Sequence, residues 1–217
     1  MSAAVASDAK SPLTIGVVVF DGVVQLDYIG VTSYLEQLPT AGQPVKFLTI
    51  SLRSGPLRCA NALGLGMPLF ASHGYQDVTE KLDILVIPGG RGRVELQKDE
   101  GFMRFVRSSA EQATFVLTVC TGSAILAATG FLDGRRATTN KIAYQSVVDA
   151  NPGVQWVHKA RWVEDGNVWT SSGVTAGLDM AYAFVSHEYG KPVADGIARY
   201  IESVPNTDAS NDPFATL

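Results

Sequence analysis

A cysteine that ends a strand-like run and opens a helix-like one is the residue of this chain best placed to do chemistry. The stretch Thr114-Phe115-Val116-Leu117-Thr118-Val119-Cys120-Thr121-Gly122-Ser123 passes directly from β-branched and aromatic residues into small ones. A strand that turns sharply into a helix lifts one side chain above the carboxyl edge of a sheet, and Gly122 permits the tight backbone. The unpaired amides and positive dipole end of the helix favour a thiolate, so a lowered pKa is expected for Cys120. The plainer alternative is a buried structural cysteine, which the strand-to-helix junction disfavours.

Two further segments could complete a site around that sulfur. Ile87-Pro88-Gly89-Gly90-Arg91-Gly92 follows another apolar run. Consecutive glycines expose backbone N–H groups, so Gly89 and Gly90, with the Thr121 amide, are candidate donors to a developing anion. An ordinary glycine-rich turn is the alternative. The segment lacks the Gly-Lys-Ser/Thr ending of a Walker loop and the spacing of a dinucleotide fingerprint. Phe20-Asp21-Gly22-Val23-Val24-Gln25-Leu26-Asp27-Tyr28-Ile29-Gly30 places Asp27 among apolar neighbours at the opening of the first helix. Burial there would raise its pKa and suit it to general acid/base work beside a thiol; helix capping is the competing role. Asp21 reads as a turn residue without chemistry.

Positioning these groups requires a sheet. The apolar runs at 13–20, 45–51, 84–87 and 114–119 are too short for helices and lack period-two alternation. Continuous hydrophobicity of this kind marks strands covered on both faces, hence a mostly parallel sheet between two helical layers. Phe102, Phe105 and Val106 lie at helical spacing after Asp99 and Glu100, and residues 123–129 form an Ala-rich helix closing at Gly130. Residues 59–69 read as a hairpin or extended excursion. Strands at 154–163 and 168–171 flank the turn cluster Glu164-Asp165-Gly166-Asn167. Thr175 opens a helix ending at Gly190, and Lys191-Pro192 starts a last one reaching about residue 201. The fold class expected is a three-layer α/β sandwich in one domain over 13–204, with a loose tail at 1–12 and an irregular segment at 205–217.

Composition limits the function classes. The 217 residues are 46% hydrophobic and 18% charged, with 21 Gly and 10 Pro, which suits a large core with tight turns and excludes disordered or collagen-like chains. A formal charge of −4 without any basic block argues against nucleic acid and anionic membranes as partners. Two cysteines, Cys59 and Cys120, and histidines at 73, 158 and 187 make neither a disulfide framework nor a zinc-ligand spacing. With no secretory h-region and no run of the roughly 20 apolar residues that a membrane helix needs, a soluble cytoplasmic protein is expected.

Taken together, these segments resemble the ThiJ/PfpI superfamily, whose fold is similar to that of the class I glutamine amidotransferases and flavodoxin-like. The likeness covers about 13–200. It is carried by Val19-Phe20 leading to Gln25-Leu26-Asp27, by Asp83-Ile84-Leu85-Val86-Ile87-Pro88-Gly89-Gly90, by Val119-Cys120-Thr121-Gly122-Ser123, by Arg136-Ala137-Thr138-Thr139, and by Ser172-Gly173-Val174-Thr175-Ala176-Gly177-Leu178-Asp179. Within the superfamily the acid, elbow and last segment most resemble the isocyanide (isonitrile) hydratases. The resemblance implies a covalent thioimidate on Cys120, proton management by Asp27, backbone donors at Gly90 and Thr121, no metal or other cofactor, a small-molecule substrate and a homodimer.

The sequence departs from its likenesses in places. The proteolytic branch has His after the nucleophile where this chain has Thr121, and the glyoxalase and deglycase-like branch has Glu where Asp27 stands. Hydratases usually continue the acid motif as Asp-Leu-Thr-Gly-Pro and carry His-Trp after the Thr pair. Here Tyr28, Ile29, Asn140 and Lys141 occupy positions near the family pocket, so they are expected to shape the substrate site. A glyoxalase-like lyase of 2-oxoaldehydes and a redox sensor that oxidises Cys120 are the alternatives. A transcription regulator's sensing module would carry an appended helix-turn-helix, for which no room is expected. His187 and His158 read as solvated or hairpin positions, and His73 as a loop residue that could approach the pocket. Cys59 reads as a small hydrophobe, the three tryptophans as core or interface, and Thr175 as a helix cap.

Overall fold

The computed structural model describes residues 10–60 and 66–216. Its strands are β1 (Leu13–Val18), β2 (Val45–Ser51), β3 (Gly55–Arg58), β4 (Pro68–Ala71), β5 (His73–Gly74), β6 (Ile84–Ile87), β7 (Phe115–Val119), β8 (Arg136–Ala137), β9 (Gln155–Trp156), β10 (Trp162–Asp165) and β11 (Val168–Ser171). The helices are α1 (Gln25–Leu35), α2 (Arg93–Leu96), α3 (Glu100–Gln112), α4 (Gly122–Ala128), α5 (Tyr144–Ala150), α6 (Ala176–Tyr189) and α7 (Lys191–Tyr200). Seven strands form one sheet in the order β10-β11-β7-β6-β1-β2-β5. Every pairing in it is parallel except that of β10 with β11.

Alternate residues of the central strands feed opposite cores, which is why their sequences are apolar throughout. Ile84 and Val86 of β6 join Val31, Leu35, Met180 and Phe184 from α1 and α6. Leu85 and Ile87 join Phe102, Val106, Ile125 and Leu126 from α3 and α4 on the other face. All four β6 residues are buried. The chain is therefore the three-layer α/β sandwich expected from those runs. Among the described residues, no helix is long and apolar enough to cross a membrane.

Three local expectations shift. The antiparallel pairing around the early excursion runs between β3 and β4, with Arg58 opposite Pro68, so the paired arms lie mostly outside 59–69; residues 61–65 of that segment, and 1–9 of the expected tail, lie outside the described residues. The late hairpin is shorter on its first arm. Gln155 and Trp156 pair instead with Arg136 and Ala137 in a small separate sheet, because the chain turns across the polar His158-Lys159 step before β10 begins. Its turn narrows to Gly166 and Asn167, with Gly166 at φ 61°, the left-handed conformation that a two-residue hairpin turn requires. Thr175 stands at the start of α6, yet its hydroxyl accepts from Arg161 Nη2 at 3.0 Å and makes no capping bond.

The segment after α7 is irregular but firmly attached. Asp212 is 4% exposed and faces the equally buried Lys141 at 3.4 Å. Arg161 and Asp179 form a second buried pair at 2.7 Å, Asn206 N donates to Asp179 Oδ1, and Arg161 N donates to Ala209 O. Removing one partner of a buried pair strands the other charge in a low dielectric. Asp212→Ala is therefore expected to destabilise the protein by about 3–5 kcal/mol in urea unfolding. Adding Lys141→Met should recover most of that loss; a double variant as unstable as the single one would show that the pair is not the cause.

Candidate functional site

Cys120 sits at the junction of β7 and α4 with φ 58°, a conformation that residues other than glycine seldom adopt. The strained turn is held from three directions. Cys120 N donates to Ser172 O at 2.9 Å, while Cys120 O accepts from Ser123 Oγ and Thr139 Oγ1, each at 3.1 Å. Gly122 packs on the Ile87 carbonyl so closely that a Cβ would collide with it, so the elbow and the glycine loop after β6 are one interlocked unit. The sharp strand-to-helix turn expected at Cys120 is present in the backbone. Thr139 and Ser172 thus fix the backbone of the cysteine.

Asp27, third residue of α1, is fully buried and does not cap its helix; the N-cap position is Val24. Its Oδ2 accepts from Gly89 N at 2.9 Å. Its Oδ1 is buried and accepts no well-formed hydrogen bond, and the Cys120 thiol is its polar neighbour. Burial raises the Asp27 pKa to about 7, against the pull of the Gly89 amide and of the Cys120 thiol. The carboxyl therefore changes protonation state near neutral pH, as a general acid/base must.

The sulfur departs from expectation. Burial pushes the Cys120 thiol up to about 12, and the Asp27 charge pushes it the same way. The Thr121 and Val174 amides and the Thr121 hydroxyl favour the thiolate but do not offset those two effects. A side chain only 6% exposed loses more from desolvation than the first turn of a seven-residue helix returns. The resting pair is a thiol facing a carboxyl that titrates near neutrality.

The glycine amides are also placed differently. Gly89 N is engaged by Asp27, and Gly90 N donates to Thr121 Oγ1 at 3.1 Å. Neither is open to a substrate anion in this arrangement. The donors aimed at the sulfur are the amides of Thr121 and Val174, the latter at φ 23°, a second strained position. Val174 was not singled out in the sequence, although it lies inside the Ser172–Asp179 motif.

A cavity of about 880 Å³ opens over Cys120 and Thr121, and its wall includes Asn140, Cys59 and Val174. Of the four residues expected to shape the pocket, only Asn140 lines it. Lys141 points the other way, donating to Thr138 Oγ1, Thr139 O and Ala160 O while facing Asp212. Ile29 lies on the outer side of α1, 37% exposed. Tyr28 stands behind the wall, where its hydroxyl meets the Cys59 thiol. Cys59 therefore belongs to the cavity rather than simply to a hairpin core. His73 is on β5 beside Ser72 and does not line the cavity. Among the described residues, no cluster of three or more His, Cys, Asp or Glu side chains is arranged to hold a metal ion.

Comparison with known proteins places this geometry. The profile of the DJ-1/PfpI family matches residues 14–187. An isonitrile hydratase of Pseudomonas putida is 34% identical over 193 residues, covering 89% of this chain and 79% of that protein. A deglycase of Pyrococcus horikoshii is 37% identical over 117 residues, 49% of this chain and 67% of its own. Among solved structures, a ThiJ/PfpI family protein of Pseudomonas syringae superposes with a TM-score of 0.77 at 22% identity, covering 96% of this chain and 85% of the other.

Two outcomes follow from the buried pair. A carboxyl whose folded pKa is raised costs nothing below its unfolded value, near 4, and costs most above its folded value of about 7. Asp27→Asn removes that cost, so the variant should gain on the order of 4 kcal/mol over the parent at pH 8 and nothing at pH 4. Denaturant unfolding at the two pH values checks it, and a pH-independent difference would contradict it. Because the Asp27 charge raises the thiol pKa, the same variant should also alkylate faster at Cys120 with iodoacetamide at pH 8, by about tenfold for each unit of pKa released.

Proposed function

Since the chain belongs to the DJ-1/PfpI family, we propose that it is a cofactor-free hydratase of isonitriles, releasing N-substituted formamides. The observation that carries the reading is a reactive-type cysteine on a strained elbow, open to one cavity and backed by a buried carboxyl that titrates near neutral pH. The likeness to the Pseudomonas putida isonitrile hydratase, over nine-tenths of the chain, supports the choice of substrate.

In the proposed reaction Asp27 takes the Cys120 proton as sulfur bonds to the terminal isonitrile carbon and then returns it to that carbon, giving the thioimidate R–N=CH–S–Cys. Water next adds to the same carbon. Asp27 accepts a water proton and passes it to the imine nitrogen, forming R–NH–CH(OH)–S–Cys. The C–S bond breaks, sulfur recovers the hydroxyl proton, and R–NH–CHO leaves with the thiol restored. The Thr121 and Val174 amides stabilise charge on sulfur as it arrives and departs. A raised resting thiol pKa is compatible with this scheme, because Asp27 receives the proton in the same step in which sulfur attacks and then delivers it to carbon. A homodimer is proposed on family resemblance.

Incubation with cyclohexyl isonitrile should yield the formamide. Cys120→Ala should lower the rate by at least about 10³-fold, and Asp27→Asn by about 10²–10⁴-fold. No formamide from the parent protein would overturn the assignment; lactate formed from methylglyoxal instead would move it to the 2-oxoaldehyde lyases. Mild peroxide followed by mass spectrometry separates the sensor role, which requires Cys120 oxidation rather than turnover.

A further inference from the structure

The whole chain carries a formal charge of −4, yet the wall of the Cys120 cavity is cationic. Arg58, Arg91 and Arg93 line it, against a single wall carboxylate, Asp21. Asp21 Oδ1 already accepts from the Arg58 backbone amide at 2.9 Å. The other acidic group near the sulfur, Asp27, is buried behind Cys120, does not line the cavity, and is engaged with Gly89 and the thiol. The three arginines have little protein to satisfy them. Among the described residues none is within 4 Å of a carboxylate: Arg58 Nη1 donates to the Gly66 carbonyl at 3.4 Å, and Arg93 Nη1 to Gln97 Oε1 at 3.2 Å.

Arg93 is the informative one. It is partly buried, it lies close enough to Cys120 to feel its charge, and its protein partner is a neutral amide. A half-desolvated cation without a counter-ion is costly unless something else supplies the negative charge. Guanidinium groups meet a carboxylate with two parallel N–H donors, and several converging on one cavity give both affinity and orientation. A cavity of about 880 Å³ leaves room for such a group beside the one that reacts at sulfur.

We infer that the substrate carries a carboxylate, received by Arg58, Arg91 and Arg93 on the wall of the Cys120 cavity. The inference rests on the proposed hydration only for the identity of the reacting group; the anion site itself is independent of it. Arg93, the partly buried one of the three, orients the reacting carbon, and the exposed Arg58 and Arg91 draw the anion in from solvent.

Two measurements test it. The first compares alkylation of Cys120 by iodoacetate and by iodoacetamide, read by peptide mass spectrometry, in the parent protein, Arg93→Gln and Arg91→Gln. The iodoacetate-to-iodoacetamide rate ratio should fall at least about tenfold in Arg93→Gln and by a smaller factor in Arg91→Gln, and added salt should lower it in the parent. Equal ratios in all three proteins would overturn the inference. The second compares kcat/KM for isocyanoacetate and its methyl ester. The acid should be preferred by about tenfold or more in the parent, and that preference should collapse in Arg93→Gln. A preference for the ester would overturn the inference. If neither isonitrile turns over, the hydratase reading falls, while the alkylation ratio still decides the anion site.

Discussion

One buried carboxyl and one buried thiol, set side by side with little exposed surface, set the terms for the rest of this structure. Neither group is comfortable there alone. Asp27 is tolerated because the Gly89 amide meets one of its oxygens, and Cys120 because the Thr121 and Val174 amides meet its sulfur. Each of those amides comes from a segment whose backbone has an unusual constraint. Gly90 has φ 145°, Cys120 58° and Val174 23°. Strain concentrated around one side chain and maintained by the surrounding fold is the pattern of a site whose geometry has been fixed before any ligand arrives.

The fold supplies that geometry by stacking three loops at the carboxyl ends of β1, β6 and β7, where open parallel sheets leave a crevice. The interlock of Gly122 with the Ile87 carbonyl, and of Gly90 with the Gly22 carbonyl, lets these loops approach to a distance that a single added methyl group would prevent. Glycines that look like flexible punctuation in the sequence are, in the folded chain, the points of closest contact.

Much of this was legible from residue order. The uninterrupted apolar runs implied strands buried on both faces, and β6 shows why, sending alternate residues into separate cores. The Cys120 junction implied an elbow, and the elbow is there in the backbone angle. What could not be read was direction. Lys141 neighbours a cavity residue by one position, yet its side chain runs inward to Asp212, a partner seventy-odd residues away that no local pattern announces. Ile29 and Tyr28 follow Asp27 on a helix, so the turn of about 100° per residue carries them off the face that Asp27 presents. The sulfur pKa failed for a related reason: helix dipoles can be inferred from a short motif, whereas the depth of burial that outweighs them depends on the whole tertiary packing.

The tie between Lys141 and Asp212 bears on how the polypeptide matures. Asp212 comes after every strand and helix of the sandwich in chain order. Until it docks, the ammonium group beneath the 139–143 turn has no counter-ion. That turn carries Thr139, which grips the carbonyl of the reactive cysteine, and Asn140, which faces the cavity. With Asp212 undocked the support beneath Thr139 and Asn140 would be incomplete, so the segment after α7 acts as the clasp that completes the pocket.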